Sequence, residues 1–140
     1  MSGKVAIVTG GNKGIGYAIV KGLVEGGKFE HVYLTARNPK LGHEAAEKIK
    51  SETGTGVHFH QLDVADENSV KVFRDFIEKK HAGFDVIVQN AGFAFKGSAT
   101  EPRPVQAKET FRINFWGLLN VMKQFYPLTR QELLINRTFF

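Results

Sequence analysis

The segment Val5-Ala6-Ile7-Val8-Thr9-Gly10-Gly11-Asn12-Lys13-Gly14-Ile15-Gly16 constrains the fold of this chain more than any other. An apolar run of strand type, from Lys4 to Thr9, stops at a glycine-rich turn. A helical pattern then begins at Ile15 and continues through Ala18, Ile19 and Leu23 to Glu25. A strand, a loose turn and a helix N-terminus in that order make an anion site, because free backbone N–H groups and the positive end of the helix both face the turn. Glycine lets the backbone approach a pyrophosphate with no Cβ in the way. The expected ligand is a dinucleotide.

The spacing excludes two familiar alternatives. Glycines at Gly10, Gly14 and Gly16, with Gly11 as an extra, do not follow G-x-G-x-x-G. The interval from Gly11 to Gly16 matches a P-loop, but Tyr17 stands where that loop needs a lysine.

Strand and helix signals alternate along the rest of the chain. Gly26-Gly27 ends the first helix, and His31 to Thr35 reads as the second strand. Pro39 opens a helix reaching about Ser51, and Val57 to Leu62 is the third strand. Asp66 is a natural N-cap for a helix through Val70, Phe73 and Ile77, closed by Gly83. Phe84 to Gln89 is the fourth strand. After the polar stretch from Gly97 to Pro104 comes a helix carrying Phe111, Phe115, Leu118, Leu119, Met122 and Phe125. Nearly continuous apolar strands alternating with helices predict an α/β fold, with a parallel sheet covered on both faces. The expected architecture is a partial, Rossmann-type doubly wound sheet of about four strands in the order 3-2-1-4, with its ligand crevice between strands one and four.

The end of the second strand decides between cofactors. A NAD site needs a carboxylate about 20 residues after the turn to hold the ribose 2′-hydroxyl. Here the chain reads Thr35-Ala36-Arg37-Asn38, with no acid in reach. The planar fork of Arg37 suits a 2′-phosphate, and Lys13 adds a second cation inside the turn. Both point to NADP(H).

Thr-Gly-x-x-x-Gly-Ile-Gly resembles the cofactor turn of the short-chain dehydrogenase/reductase family, and Gly-Asn-Lys-Gly-Ile-Gly is most similar to its carbonyl-reductase branch. The resemblance runs from residue 4 to about 128 and implies several roles. Gly10, Asn12, Lys13, Gly14, Ile15 and Gly16 hold the pyrophosphate region, with Arg37 and Asn38 at the 2′-phosphate. Asp63 and Val64 border the adenine, and Asn90, Ala91 and Gly92 the adjacent ribose. The family reads Asn-Asn-Ala-Gly where this chain reads Gln89-Asn90-Ala91-Gly92, so Gln89 is a departure. Asn114, in Ile113-Asn114-Phe115-Trp116-Gly117, matches the asparagine that holds a water of the family's proton relay, and is the one catalytic residue expected here. The implied reaction is hydride transfer to a small-molecule carbonyl substrate.

The family also uses a Ser and a Tyr-x-x-x-Lys pair in the half of its fold after strand five. Tyr17 and Lys21 have that interval but lie on the first helix, directly after the phosphate turn. Tyr126 and Arg130 enclose Pro127 and lack the lysine. The chain is therefore expected to bind cofactor and to turn over poorly or not at all. It divides into a nucleotide-binding domain, 1–128, and a divergent tail, 129–140. The apolar residues Leu133, Leu134 and Ile135 would cover the bare edge of strand four, which otherwise invites self-association.

Composition bounds the rest. A chain of 140 residues fits one domain with a real core. Its net charge of +5 comes from 19 scattered Lys and Arg with acids among them, which argues against a nucleic-acid surface and suits a polyanionic cofactor. No apolar run spans a bilayer and no signal-peptide pattern opens the chain, so no membrane partner and a cytoplasmic location are expected. Cysteine is absent, which removes disulfides and thiolate metal sites. His58 and His60 share one strand face, but no third metal ligand accompanies them, so no metal is expected.

Overall fold

The Val-Ala-Ile-Val run from Val5 to Val8 is β1, and all four of its side chains are fully buried. A strand that is apolar on both faces needs a cover on each side, and the rest of the chain supplies one. In the computed structural model, which describes residues 3–130, β1 pairs in parallel with β2 (His31–Ala36) and with β4 (Val86–Val88). On the far side of β2 lies β3 (His58–Gln61), which gives the order β3-β2-β1-β4. This is the expected strand order.

Among the described residues, α1 (Gly14–Glu25), α2 (Pro39–Thr53), α3 (Glu67–His81) and α5 (Leu118–Phe125) cover the sheet, whereas α4 (Arg103–Phe111) buries no side chain. Val5, Ile7 and Tyr33 face Val70, Phe73 and Ile77 of α3 and Val121 and Phe125 of α5. On the opposite face, Val8 and Leu34 pack with Val20 of α1 and with Ala45 and Ile49 of α2. Each fully buried side chain of this kind contributes roughly 1.5–3 kcal/mol. The alternation along β1 and β2 thus fastens one sheet to two helical layers.

Local signals set the boundaries. The Asn38 side chain accepts from the Leu41 N–H, and Pro39 fills the first turn of α2. Asp66 caps α3 by accepting from Asn68 and Ser69. Gly83 does not itself close α3; the helix ends at His81, and Ala82 takes the left-handed conformation with φ 60°. The strand expected over 84–89 pairs with β1 only at Val86–Val88. Phe84 instead bridges Thr129 in parallel, accepting from Arg130 N–H and donating to Leu128 O. The tail that follows, with its apolar run Leu133, Leu134 and Ile135, lies outside the described residues.

The last helical stretch departs from a single regular helix. A π-helical turn at Arg112–Gly117 joins α4 to α5. Its wider turn keeps residues four apart on one face, so Ile113, Gly117, Val121 and Phe125 form the buried stripe. Phe111 and Trp116 are each 61% exposed. Regular 3.6-residue periodicity cannot anticipate that shift of face.

Candidate functional site

At the carboxyl ends of the strands the α1 turn, the ends of β2 and β3 and the segment after β4 surround a cleft of about 420 Å³. That size suits a small-molecule or cofactor site. It lies where the connections from β1 and β4 diverge to opposite faces, the crevice where open α/β sheets bind ligands.

The floor is a knot of hydrogen bonds centred on Thr9, a residue the sequence reading did not single out. Its N–H donates to Val88 O at 3.0 Å, fixing β1 to β4. Its buried hydroxyl oxygen accepts from the N–H groups of both Asn90 and Ala91, each at 3.0 Å. The Asn90 side-chain amide donates back to Thr9 O at 3.2 Å and Gly10 O at 3.0 Å. On the other side, Gly11 N–H donates to Thr35 O at 2.9 Å, and the Thr35 hydroxyl donates to Val8 O at 3.1 Å. The available signal was a hydroxyl at the end of each otherwise apolar strand.

This knot leaves no room above it. A Cβ on Gly16 would lie 2.2 Å from Gly10 O and 2.4 Å from the Asn90 amide nitrogen. Gly10 sits at φ 65° and Gly14 at φ 56°, where side chains are strained. The backbone can therefore come to the cleft surface only because glycine occupies these positions.

The α1 N-terminus opens into the cleft without a side-chain cap. Lys13 occupies the capping position in extended conformation, and the first turn holds no acidic residue. α2 and α3, by contrast, have Asn38 and Asp66 on their first amides. The first-turn N–H groups of α1 are thus available to an anion. Lys13 and Arg37 are exposed on the cleft, and among the described residues neither is engaged in a salt bridge.

Of the residues singled out from sequence, Gly10, Asn12, Lys13, Gly14, Ile15 and Gly16 line the cleft on the α1 side. Ile15 is 66% exposed there and is no part of the buried stripe of α1, which runs through Gly16 and Val20. Arg37 and Val64 line the β2 and β3 side, and Asn90, Ala91 and Gly92 the β4 side. Three residues stand off the cleft wall. Asn38 is used as a cap, and Asp63 turns its carboxylate to Ala65 N–H at 3.0 Å. Asn114 clasps the Phe93 backbone, accepting from its N–H at 2.7 Å and donating to its carbonyl at 2.8 Å. Ala36, Leu62, Phe93 and Ile113 complete the wall; each is a chain neighbour of a residue chosen from sequence.

Tyr17 and Lys21 both engage Glu52 of α2, at 3.0 and 3.1 Å, and do not line the cleft. Burial first, then the Glu52 carboxylate, raises the Tyr17 pKa, the reverse of what a proton donor near neutrality needs. Tyr126 is 63% exposed, and Arg130 pairs with Asp85 at 3.4 Å.

The sequence profile of a family described as short chain dehydrogenase matches residues 4–133. The chain is 43% identical over 129 residues to carbonyl reductase [NADPH] 1 of Bos taurus, covering 91% of this chain and 46% of the bovine protein. It therefore spans about half the length of that relative. Among solved structures, menthone neomenthol reductase from Mentha piperita superposes with TM-score 0.79 at 31% identity, over 94% of this chain and 58% of that one. An alcohol dehydrogenase from Thermococcus sibiricus, complexed with 5-hydroxy-NADP, superposes with TM-score 0.76 at 30% identity, over 89% of this chain and 52% of that one.

Proposed function

The chain belongs to the short chain dehydrogenase family, in its carbonyl reductase branch, and from that premise we propose that it binds NADP(H) and serves as the cofactor-binding half of a carbonyl-reducing oxidoreductase. The observation that carries the proposal is the meeting of two exposed cations, Lys13 and Arg37, with an uncapped helix N-terminus on one cleft. A dinucleotide with an extra phosphate presents both kinds of anion that such a cleft would take. The fit is steric as well: the closeness of Gly16 to Gly10 O leaves a backbone surface on which a pyrophosphate can rest.

In this reading the first-turn amides of α1 hold the pyrophosphate, and the Arg37 guanidinium and Lys13 ammonium hold the 2′-phosphate. Leu62 and Val64, both buried, give an apolar wall for the adenine. Thr9 and Asn90 fix the segment from Asn90 to Gly92, which would face the ribose. Asn114 acts through Phe93, whose position it fixes. When bound, the nicotinamide supplies or accepts the hydride. The one Tyr-x-x-x-Lys in the 140 residues, Tyr17 with Lys21, is turned toward Glu52, so these residues bind the carrier and do not by themselves protonate a carbonyl product.

Comparative melting tests this. Ligand present at 100 times its dissociation constant stabilises by roughly 2.7 kcal/mol. NADPH should raise the midpoint several degrees more than NADH at equal concentration, and Arg37→Ala should remove most of the difference. Steady turnover of a quinone or dicarbonyl by these residues alone would overturn the non-catalytic part.

A second reading has its own observation. β4 is short and half-exposed, and among the described residues its outer edge carries only the bridge from Phe84 to Thr129. Such an edge favours a non-catalytic module that pairs with a second copy. Light scattering separates the two: a strictly monomeric solution state removes the second.

A further inference from the structure

We propose that the imidazoles of His31, His58 and His81, gathered around the Tyr33 hydroxyl at the end of the sheet opposite the cleft, form an acid-sensitive lock that fastens the last turn of α3 to β2 and β3. The proposal is independent of the cofactor reading. His31 opens β2, His58 opens β3, and His81 ends α3, so three elements that are distant in sequence each bring one imidazole to the same place. His31 Nδ1 lies 3.3 Å from His58 Nε2, and the Tyr33 hydroxyl lies 2.8 Å from His81 Nε2. The His31 ring is 4.5 Å from that of His81, and Tyr33 stacks on His58 at 4.9 Å.

The lock holds only while His58 and His81 are neutral. Two imidazoles share a hydrogen on an N···N contact only if one of them offers a lone pair. Tyr33 is pushed up to about 12 by burial, so its hydroxyl keeps its proton and is able to donate to a neutral His81 at Nε2. A proton on His81 puts a charge into a buried site beside Lys80 and Arg130, and one on His58 puts a charge beside Lys80.

The surroundings reinforce the effect from every packed element. On α3, Lys80 acts on His58 and His81. From the segment after α5, Arg130 donates to the His81 carbonyl and acts on its ring. On β2 and β3, His31 acts on His58, and both act on His81. The carboxylates nearby are engaged elsewhere: Asp85 bonds Val5 N–H at 2.7 Å and pairs with Arg130, and Glu30, which senses His31, bonds Lys4 N–H. The carbonyl end of α3 favours a cation, but burial first, then His31, Lys80, Arg130 and His58, outweigh it and hold His81 down to about 4. Burial first, then Lys80 and His31, also lowers His58.

The sign follows from linkage. A histidine whose folded pKa is depressed stays neutral in the fold while the unfolded chain takes up the proton. Its contribution is whole above the ordinary value near 6.5 and is lost as the pH falls toward 4. The loss should begin at the junction itself, because the fully buried β1 carries none of these groups.

Hydrogen exchange on the intact chain, corrected for intrinsic rates, is the test. Between pH 7.5 and 5.5, protection of the amides from Glu78 to Ala82 and at the start of β3 should fall about tenfold, while β1 stays unchanged. The double variant His58→Gln/His81→Gln should lose most of that pH dependence, and His43→Gln, on the exposed side of α2, should keep it. Where a variant does not fold, the imidazole resonances of the unmodified chain decide: His81 should titrate well below the others. Flat protection across this range, an equal fall in the double variant, or an ordinary titration of His81 would each overturn the proposal.

Discussion

The Thr9 hydroxyl oxygen stands 3.0 Å from the backbone nitrogen of Asn90, and this contact joins the two walls of the cleft. β1 leads into the glycine turn and β4 into the segment from Asn90 to Gly92, but parallel pairing ends at Val8 with Val88. Beyond that point Thr9 continues the connection with a side chain, which accepts from Asn90 and Ala91 together.

Thr9→Val tests this directly. The shapes match, so packing is kept while the acceptor is lost. Ala91 N–H loses its partner, at about 1–3 kcal/mol if it stays buried, while Asn90 N–H keeps Val88 O at 3.1 Å. Thermal or urea unfolding should show a drop of that order, and Thr9→Ser should restore most of it. A Val variant as stable as the parent would show that the hydroxyl does not hold the walls.

Gly16→Ala adds a single methyl at a point 2.2 Å from Gly10 O and 2.4 Å from the Asn90 amide nitrogen. The nearest atom is backbone, so the turn has to move. Overpacking of this kind typically costs about 1–3 kcal/mol. The greater effect should fall on ligand: dinucleotide affinity should drop at least about tenfold, an extra loss near 1.4 kcal/mol. Titration of the folded variant reads this separately from stability.

Asn114→Asp discriminates positioning from proton transfer. The Asn114 amide accepts from Phe93 N–H and donates to Phe93 O, and a carboxylate can only accept. The Asp variant should show faster exchange at the Phe93 amide and weaker ligand binding, and lower pH should partly rescue it as the acid regains a donor. Asn114→Ala should lose about 0.5–1.5 kcal/mol per bond removed. Unchanged exchange at Phe93 in both variants would remove Asn114 from this role.

Most of the fold was legible because β1, β2 and the glycine turn are locally consistent: strand-forming residues end at a turn that only glycine permits. Pro39 and Asp66 advertised their helices in the same way. The site was legible wherever a motif residue meets the cleft through its own backbone or charge, as at Gly16 or Arg37. It was less legible where a side chain acts through another residue. Asn114 reaches Phe93 across 21 positions, and Thr9 reaches Asn90 across 81. No local periodicity encodes such pairs. The π turn at Arg112–Gly117 and the left-handed Ala82 were likewise hidden, because tertiary packing imposes both against ordinary propensity.

Tyr33→Phe removes the hydroxyl that is hydrogen-bonded to His81 Nε2 at 2.8 Å and leaves that nitrogen buried. The expected cost is about 1–3 kcal/mol at pH 7.5. The parent chain should itself lose stability as the pH falls from 6.5 toward 4, because the folded state resists protonating His81, held near 4, while the unfolded chain does not. Chemical denaturation at pH 7.5 and 5.5 should therefore show a smaller parent-to-variant gap at the lower pH. A gap that widens on acidification would mean that the protonated pair is the stabilising form.

Isothermal titration calorimetry of the intact chain with NADPH and, separately, NADH tests the central claim most directly. An Arg–phosphate contact worth about 1.5–3 kcal/mol corresponds to roughly a tenfold to hundredfold preference. NADPH should bind with measurable heat at one site, NADH more weakly by that factor, and Arg37→Ala should bring the two together. No heat with NADPH, or equal affinities in the parent chain, would contradict the assignment of this cleft to a 2′-phosphorylated dinucleotide.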